Sequence, residues 1–146
     1  MKTTKHLTIL VATLCGALLT IYAADKQGGP QGGRLLEKTS PDAEFLVEKD
    51  KTISINFYDA ALKPIPAADQ TVTVIAEAKS GKQKIDFEKK GESLVSKTRL
   101  PEGEGYNLVV QFKQATDAKP QNFRFKYETQ TCGECHRAEY ACICDH

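Results

Sequence analysis

Several stretches of this chain alternate between apolar and polar residues with a period of two. In residues 52–58 the side chains of Ile53, Ile55 and Phe57 fall on one face, and mostly polar residues fall on the other. Strict alternation of this kind predicts a β-strand that buries one face. No helical period of comparable length occurs before residue 129. The pattern therefore predicts an all-β protein.

Six further stretches between residues 43 and 128 show the same alternation. Their inward-facing apolar residues are Phe45 and Val47; Val72, Val74 and Ala76; Ile85 and Phe87; Leu94; Leu108, Val110 and Phe112; and Phe123, Phe125 and Tyr127. Between the second and third of the seven stretches, Pro64 and Pro66 rule out a central strand and predict a long connection. Seven short strands, each with one apolar face, predict a seven-stranded antiparallel immunoglobulin-like β-sandwich. A small β-barrel is the alternative.

The connection at residues 57–66 and the strand at residues 71–75 resemble a segment of bacterial periplasmic immunoglobulin-like modules. In those modules, which include the CopC-like and YtkA/FixH-like domains, a strand ends in an aspartate turn followed by Lys-Pro, as Asp59, Lys63 and Pro64 do here. The resemblance implies a fold and not a function. CopC-like copper sites use histidine and methionine, and residues 25–131 contain neither, so no binding residue is carried over.

The first 24 residues have the three-part pattern of a secretory signal peptide. Two lysines precede a mostly apolar run at residues 7–22, and two alanines supply small residues before Asp25. The run is short for a membrane span and is interrupted by threonines and a glycine, so we expect cleavage rather than an anchor. The sequence thus predicts an exported protein, periplasmic or extracellular, without a membrane span after cleavage.

A glycine-rich segment at residues 25–42 is predicted to be flexible, because glycine favours neither helix nor strand. The whole chain, with 146 residues, 27% charged and 40% hydrophobic, has the composition of one globular domain. A formal net charge of +1 is too small to indicate nucleic-acid binding. No histidine lies within residues 43–128 to activate a serine such as Ser93 or Ser96. We therefore expect a non-enzymatic binding or scaffold protein.

The C-terminal tail, residues 129–146, holds every cysteine and histidine that follows the predicted signal peptide. These residues are Cys132, Cys135, His136, Cys142, Cys144 and His146. Four thiolates, or thiolates with a histidine, suit tetrahedral zinc, and thiolates also suit Cu(I). The tail therefore predicts a transition-metal site, with a metal ion or a protein as the partner.

Two structural disulfides are an alternative interpretation of the same tail. Cleavage of the signal peptide removes Cys15 and leaves an even number of cysteines in an exported chain, which favours oxidation. If the tail folds as a hairpin, the opposed pairs are Cys132–Cys144 and Cys135–Cys142. A staple of this kind would stabilise the small β-domain.

Electron transfer is a further alternative. Residues 132–136 satisfy the Cys-x-x-Cys-His pattern of c-type haem attachment, although no methionine is available as a second axial ligand. Dithiol exchange at the same Cys-x-x-Cys is also conceivable, but that chemistry usually uses a βαβ scaffold that this sequence lacks. The sequence leaves zinc, copper and haem c open as cofactors.

Overall fold

A computed structural model describes residues 26–145 of the chain. They form nine strands: β1 (Arg34–Leu36), β2 (Asp42–Val47), β3 (Ile53–Tyr58), β4 (Pro64–Ile65), β5 (Thr71–Ala78), β6 (Gly81–Lys90), β7 (Ser93–Ser96), β8 (Tyr106–Lys113) and β9 (Gln121–Tyr127). A single 3-10 turn, Glu139–Ala141, is the only helical element within residues 26–145. The described part of the chain is therefore all-β, as the alternation predicts.

All strand pairings are antiparallel, and they follow one continuous path, β1-β2-β3-β7-β6-β5-β8-β9, with β4 beside β3. The long strand β6 joins the two halves of this path. Its first part pairs with β5, with Ile85 opposite Val74, and its last part pairs with β7, with Lys89 opposite Leu94. The sheet therefore wraps around its core in a barrel-like manner.

The structure corrects the predicted strand number from seven to nine. The two additional strands are β1 and β4, which have three and two residues. Pro64 lies in β4, and β4 pairs only at the edge beside β3, where a missing backbone N–H is tolerated. The immunoglobulin-like sandwich is not confirmed, because the strands form one barrel-like path.

The core is built from the inward faces of the strands. Its largest fully buried apolar side chains include Phe45, Phe57 and Phe112, all at most 1% exposed. Phe45 of β2 packs edge-on against Phe125 of β9, with ring centroids 5.2 Å apart. Because β2 and β9 lie near opposite ends of the strand path, this contact brings the two ends of the sheet together.

The predicted signal peptide, including Cys15, lies outside the described residues. The glycine-rich segment, predicted to be flexible, contains strand β1 and is bound to β2 through Glu44. Glu44 Oε1 accepts the backbone N–H groups of Gln31 at 2.9 Å and Gly33 at 2.8 Å. Within residues 26–145 no helix has the length and apolar character needed to cross a bilayer.

Candidate metal centre

The first two cysteines of the tail lie in a tight backbone turn. The N–H of His136 donates to the carbonyl of Cys132 at 3.1 Å, and the N–H of Cys132 donates to the carbonyl of Arg137 at 2.8 Å. Thr131 and Ala138 close the turn with an isolated antiparallel bridge. These bonds fold residues 132–137 back on themselves, so that the side chains of Cys132 and Cys135 converge.

His136 occupies the left-handed position of this turn, with φ +57°. Gly133 of the same turn has no positive φ, and a Cβ added there would meet nothing within 4 Å. The turn therefore depends on an unfavourable conformation at His136, which a residue with a side chain rarely adopts.

The 3-10 turn Glu139–Ala141 returns the chain towards the first pair of cysteines. Between Cys135 and Cys142 the described structure forms this one short turn. The N–H of Glu139 donates to the carbonyl of Gln130 at 2.8 Å, which fixes the turn against the residues after β9. The second pair, Cys142 and Cys144, follows directly.

Tyr140 anchors the turn to the sheet. Its hydroxyl accepts the N–H of Val47 at 3.1 Å, and its ring lies 6.2 Å from Phe45 and 6.0 Å from Tyr127, measured between centroids. Burial raises the pKa of Tyr140, so the phenol stays neutral. The turn that precedes the second pair of cysteines is thus packed into the core.

The structure brings all four tail cysteines together. Their sulfur atoms lie within 4.8 Å of one another. Cys132 Sγ is 3.9 Å from Cys144 Sγ, and Cys135 Sγ is 3.5 Å from Cys142 Sγ. A zinc ion with four sulfur ligands at about 2.3 Å places those sulfurs about 3.8 Å apart at the corners of a tetrahedron. The sulfur separations therefore match a tetrahedral metal site.

Backbone amides favour the thiolate form of the first pair. Cys132 Sγ accepts the N–H groups of Cys135 and Glu134, which lower the pKa of Cys132 to about 6. Cys135 Sγ accepts those of Ile143 and Arg137, which lower the pKa of Cys135. N–H donors to sulfur stabilise the negative charge of the thiolate, which is the form of cysteine that binds a metal ion.

The second pair has the opposite tendency. The N–H of Cys144 donates to Cys142 Sγ at 3.3 Å and lowers the pKa of Cys142, but desolvation and the neighbouring sulfurs of Cys132 and Cys135 outweigh this and raise it. Desolvation raises the pKa of Cys144 above its usual value. A metal ion that binds here must therefore displace protons from Cys142 and Cys144.

His136 is not part of the cluster. His136 is exposed, and the converging group found within residues 26–145 consists of the four cysteines. His146 lies outside the described residues. The haem alternative draws no support from the geometry, because Cys132 is only 1% exposed and a thioether bond to it requires the tail to open.

Two residues that the sequence pattern did not single out support the site. The alternation of β2 places Glu44 on the face opposite Phe45, where an exposed side chain is expected, yet Glu44 is 0% exposed. Arg137 lies between the two pairs of cysteines, and its guanidinium donates to the carbonyl of Gly29 at 3.1 Å. The clustering of glycines at residues 28–33 is the one sequence signal that could have indicated a closely packed segment.

The chain matches no family model, no curated protein and no solved structure.

Proposed function

We propose that this protein is an exported, non-enzymatic β-domain that binds one transition metal ion, Zn²⁺, through Cys132, Cys135, Cys142 and Cys144. The convergence of the four sulfurs carries the proposal. Four thiolates around one ion form the closed tetrahedral set of a structural zinc site, with no position left for water. The centre would therefore stabilise or recognise, and would not activate water for hydrolysis.

Zinc is favoured over copper by the number of converging ligands. Both metals accept thiolates, but a four-sulfur tetrahedron is typical of zinc or of iron–sulfur chemistry. Both close pairs, at 3.9 Å and 3.5 Å, are near the expected tetrahedral edge of about 3.8 Å. All four sulfurs are therefore already placed for a single ion.

The test of this proposal compares Cys135→Ser with His136→Ala in metal-stoichiometry measurements. The wild type should bind one Zn²⁺ per chain, and it should bind Co²⁺ with the intense visible absorption of tetrahedral thiolate coordination. Cys135→Ser should lose stoichiometric metal while the β-domain still folds, because its core lies within the strands. His136→Ala is the matched control and should keep full stoichiometry, since His136 is outside the cluster. Undiminished metal in Cys135→Ser would refute the assignment.

A disulfide staple is the second candidate, because the two close pairs, Cys132 with Cys144 and Cys135 with Cys142, are also the pairs that a hairpin predicts. Export to an oxidising compartment favours this outcome. The metal proposal requires the thiols to be loaded before they oxidise, and bound metal then protects them, since oxidation needs an accessible thiolate. The two candidates differ in the mass of the denatured chain.

Export itself rests on the apolar run at residues 7–22. Expression with the native leader should yield a secreted chain that begins near Asp25, as determined by N-terminal sequencing.

For the fold, an immunoglobulin-like sandwich is our interpretation of the two halves of the strand path, β1-β2-β3-β7 and β5-β8-β9, which β6 joins. Two packed sheets linked by one shared strand would produce this pairing.

A further inference from the structure

We infer that residues 26–33 of the glycine-rich segment are part of the metal centre, and that Arg137 is the positioning residue through which they act. This inference rests on the proposed function and adds a determinant of metal affinity about a hundred residues before the cysteines in sequence. The first and last parts of the described chain would then form one unit around the metal.

Glu44 of β2 orders the segment from below. Its Oε1 accepts the N–H groups of Gln31 and Gly33, and its Oε2 accepts the hydroxyl proton of Tyr58 at 2.6 Å. These three bonds compensate a carboxylate that is 0% exposed. The bonds from Gln31 and Gly33 thereby fix the segment against the sheet.

The glycines allow this close approach. A Cβ added to Gly29 would lie 2.2 Å from Glu44 Oε1, inside any allowed contact distance. A Cβ added to Gly28 would lie 2.4 Å from Cζ of Arg137. Gly29 therefore permits close packing on the sheet, and Gly28 leaves room for the guanidinium of Arg137.

Arg137 binds the segment through its side chain. Its Nη1 donates to the carbonyl oxygen of Gly29 at 3.1 Å and to that of Gly33 at 3.3 Å. Gly29 and Gly33 are also joined directly, because the N–H of Gly29 donates to the carbonyl of Gly33 at 3.1 Å. One guanidinium nitrogen of Arg137 thus reaches both carbonyl oxygens.

The main chain of Arg137 contacts both cysteines of the first pair. Its carbonyl accepts the N–H of Cys132, and its own N–H donates to Cys135 Sγ. A side chain fixed on the segment therefore fixes the peptide that orients Cys132 and Cys135. Such supporting contacts typically change metal affinity by about 10- to 100-fold when they are removed.

The charge of Arg137 is opposite in sign to that of the loaded centre, since Zn²⁺ with four thiolates carries a formal charge of about −2. A second contact joins the two parts of the chain where Lys26 pairs with Asp145, the residue after Cys144, at 2.5 Å. This pair is exposed and contributes little by itself.

The experiment is a double-mutant cycle read out as Zn²⁺ affinity, by competition with a chelating dye. Gly28→Ala displaces the guanidinium and should weaken binding by about 10-fold, and Arg137→Ala should weaken it by about 10- to 100-fold. In the double variant the Gly28→Ala effect should vanish, because the atom it meets is gone. Gly133→Ala is the control inside the tail turn, where the added methyl meets nothing, and it should leave the affinity unchanged.

Two further readouts separate positioning from general destabilisation. The unfolding midpoint of the metal-depleted β-domain should stay within error of the wild type in Gly28→Ala. The Co²⁺ absorption bands should shift in Arg137→Ala and not in Gly133→Ala. Equal affinity of Gly28→Ala and wild type, or strictly additive effects in the cycle, would overturn the inference while leaving the metal site in place. A wild type that binds no metal would instead refute the proposed function, and the inference with it.

Discussion

Glu44 carries its carboxylate at a position with no solvent exposure, and three hydrogen bonds compensate it. Burial of an ionisable side chain is tolerated when donors surround it. Here the donors are two backbone N–H groups of the glycine-rich segment and the Tyr58 hydroxyl. One side chain thus joins the segment, β2 and β3.

Replacing Glu44 with glutamine should destabilise the fold. The neutral amide can still accept N–H bonds through its oxygen, but its NH₂ group now faces the Tyr58 hydroxyl, and the charge-assisted part of the bonding is lost. We expect the free energy of unfolding to fall by about 1.5–3 kcal/mol, measured by chemical denaturation. The exposed Glu88→Gln on β6 is a suitable control and should change it by less than about 0.5 kcal/mol. Equal effects of the two substitutions would show that the Glu44 network does not hold the segment.

His136 tests the backbone of the tail turn. Its φ of +57° costs about 1 kcal/mol for a residue with a Cβ, and glycine removes that cost. His136→Gly should therefore keep one Zn²⁺ per chain and leave the thermal midpoint of the loaded protein equal or slightly raised. Loss of the metal in this variant would show that the imidazole is a ligand after all.

At the scale of elements, the tail is attached to the sheet mainly through Tyr140. The 3-10 turn is too short to be stable alone, so its packing against Phe45 and Tyr127 determines where the second pair of cysteines lies. The metal site is thereby built on the end of the barrel-like sheet.

Tyr140→Phe should remove the acceptor of the Val47 N–H while keeping the ring in place. A partly buried N–H without its partner costs about 1–3 kcal/mol, and this loss should appear in the free energy of unfolding. The Zn²⁺ stoichiometry should remain one, since the sulfur positions depend on the ring contacts and the backbone. An unchanged free energy of unfolding would show that the hydroxyl does not anchor the tail.

The elements that sequence could predict are those whose pattern is local. Strands such as β5 and β8 bury alternate residues, so a period of two reveals them. Strand β1, Arg34–Leu36, is too short for any period and follows a run of glycines. Strand β4 consists of Pro64 and Ile65, and its pairing depends on the position of β3. Whether the sheet closes like a barrel depends on how β6 divides its pairing, which no single stretch records.

The same distinction holds for the site. Four cysteines within thirteen residues can be grouped from sequence, because so short a tail must bring them close. Glu44 was not found because its burial results from a segment that folds over it from outside its strand. Arg137 was not found because its acceptors, Gly29 and Gly33, lie more than a hundred residues earlier.

At the scale of the whole molecule, the ionisation of buried phenols should limit stability at high pH. The pKa of each tyrosine in residues 26–145 is raised, and desolvation, followed by the bond to Glu44, raises that of Tyr58 to about 12 from 10.0. The folded state therefore holds these protons where the unfolded chain releases them. The contribution of the neutral phenols to the free energy of unfolding is fully present below pH 10, and it falls as the pH rises from 10 towards 12.

Tyrosinate absorbance and the free energy of unfolding, both followed against pH, measure this effect. Absorbance of the folded protein should lag behind that of the denatured chain, and Tyr58→Phe should reduce the loss of stability between pH 10 and 12. Coincident titration curves for the folded and denatured protein would contradict the expected shifts.

The central claim, that the four cysteines of the tail bind one metal ion as thiolates, is tested most directly by intact mass. Protein secreted from its own leader should be weighed under native and then denaturing conditions. The account predicts a denatured mass equal to the fully reduced chain, and a native mass higher by one zinc ion. A denatured mass lower by four hydrogens, with no metal in the native state, would mean two disulfides and would contradict it.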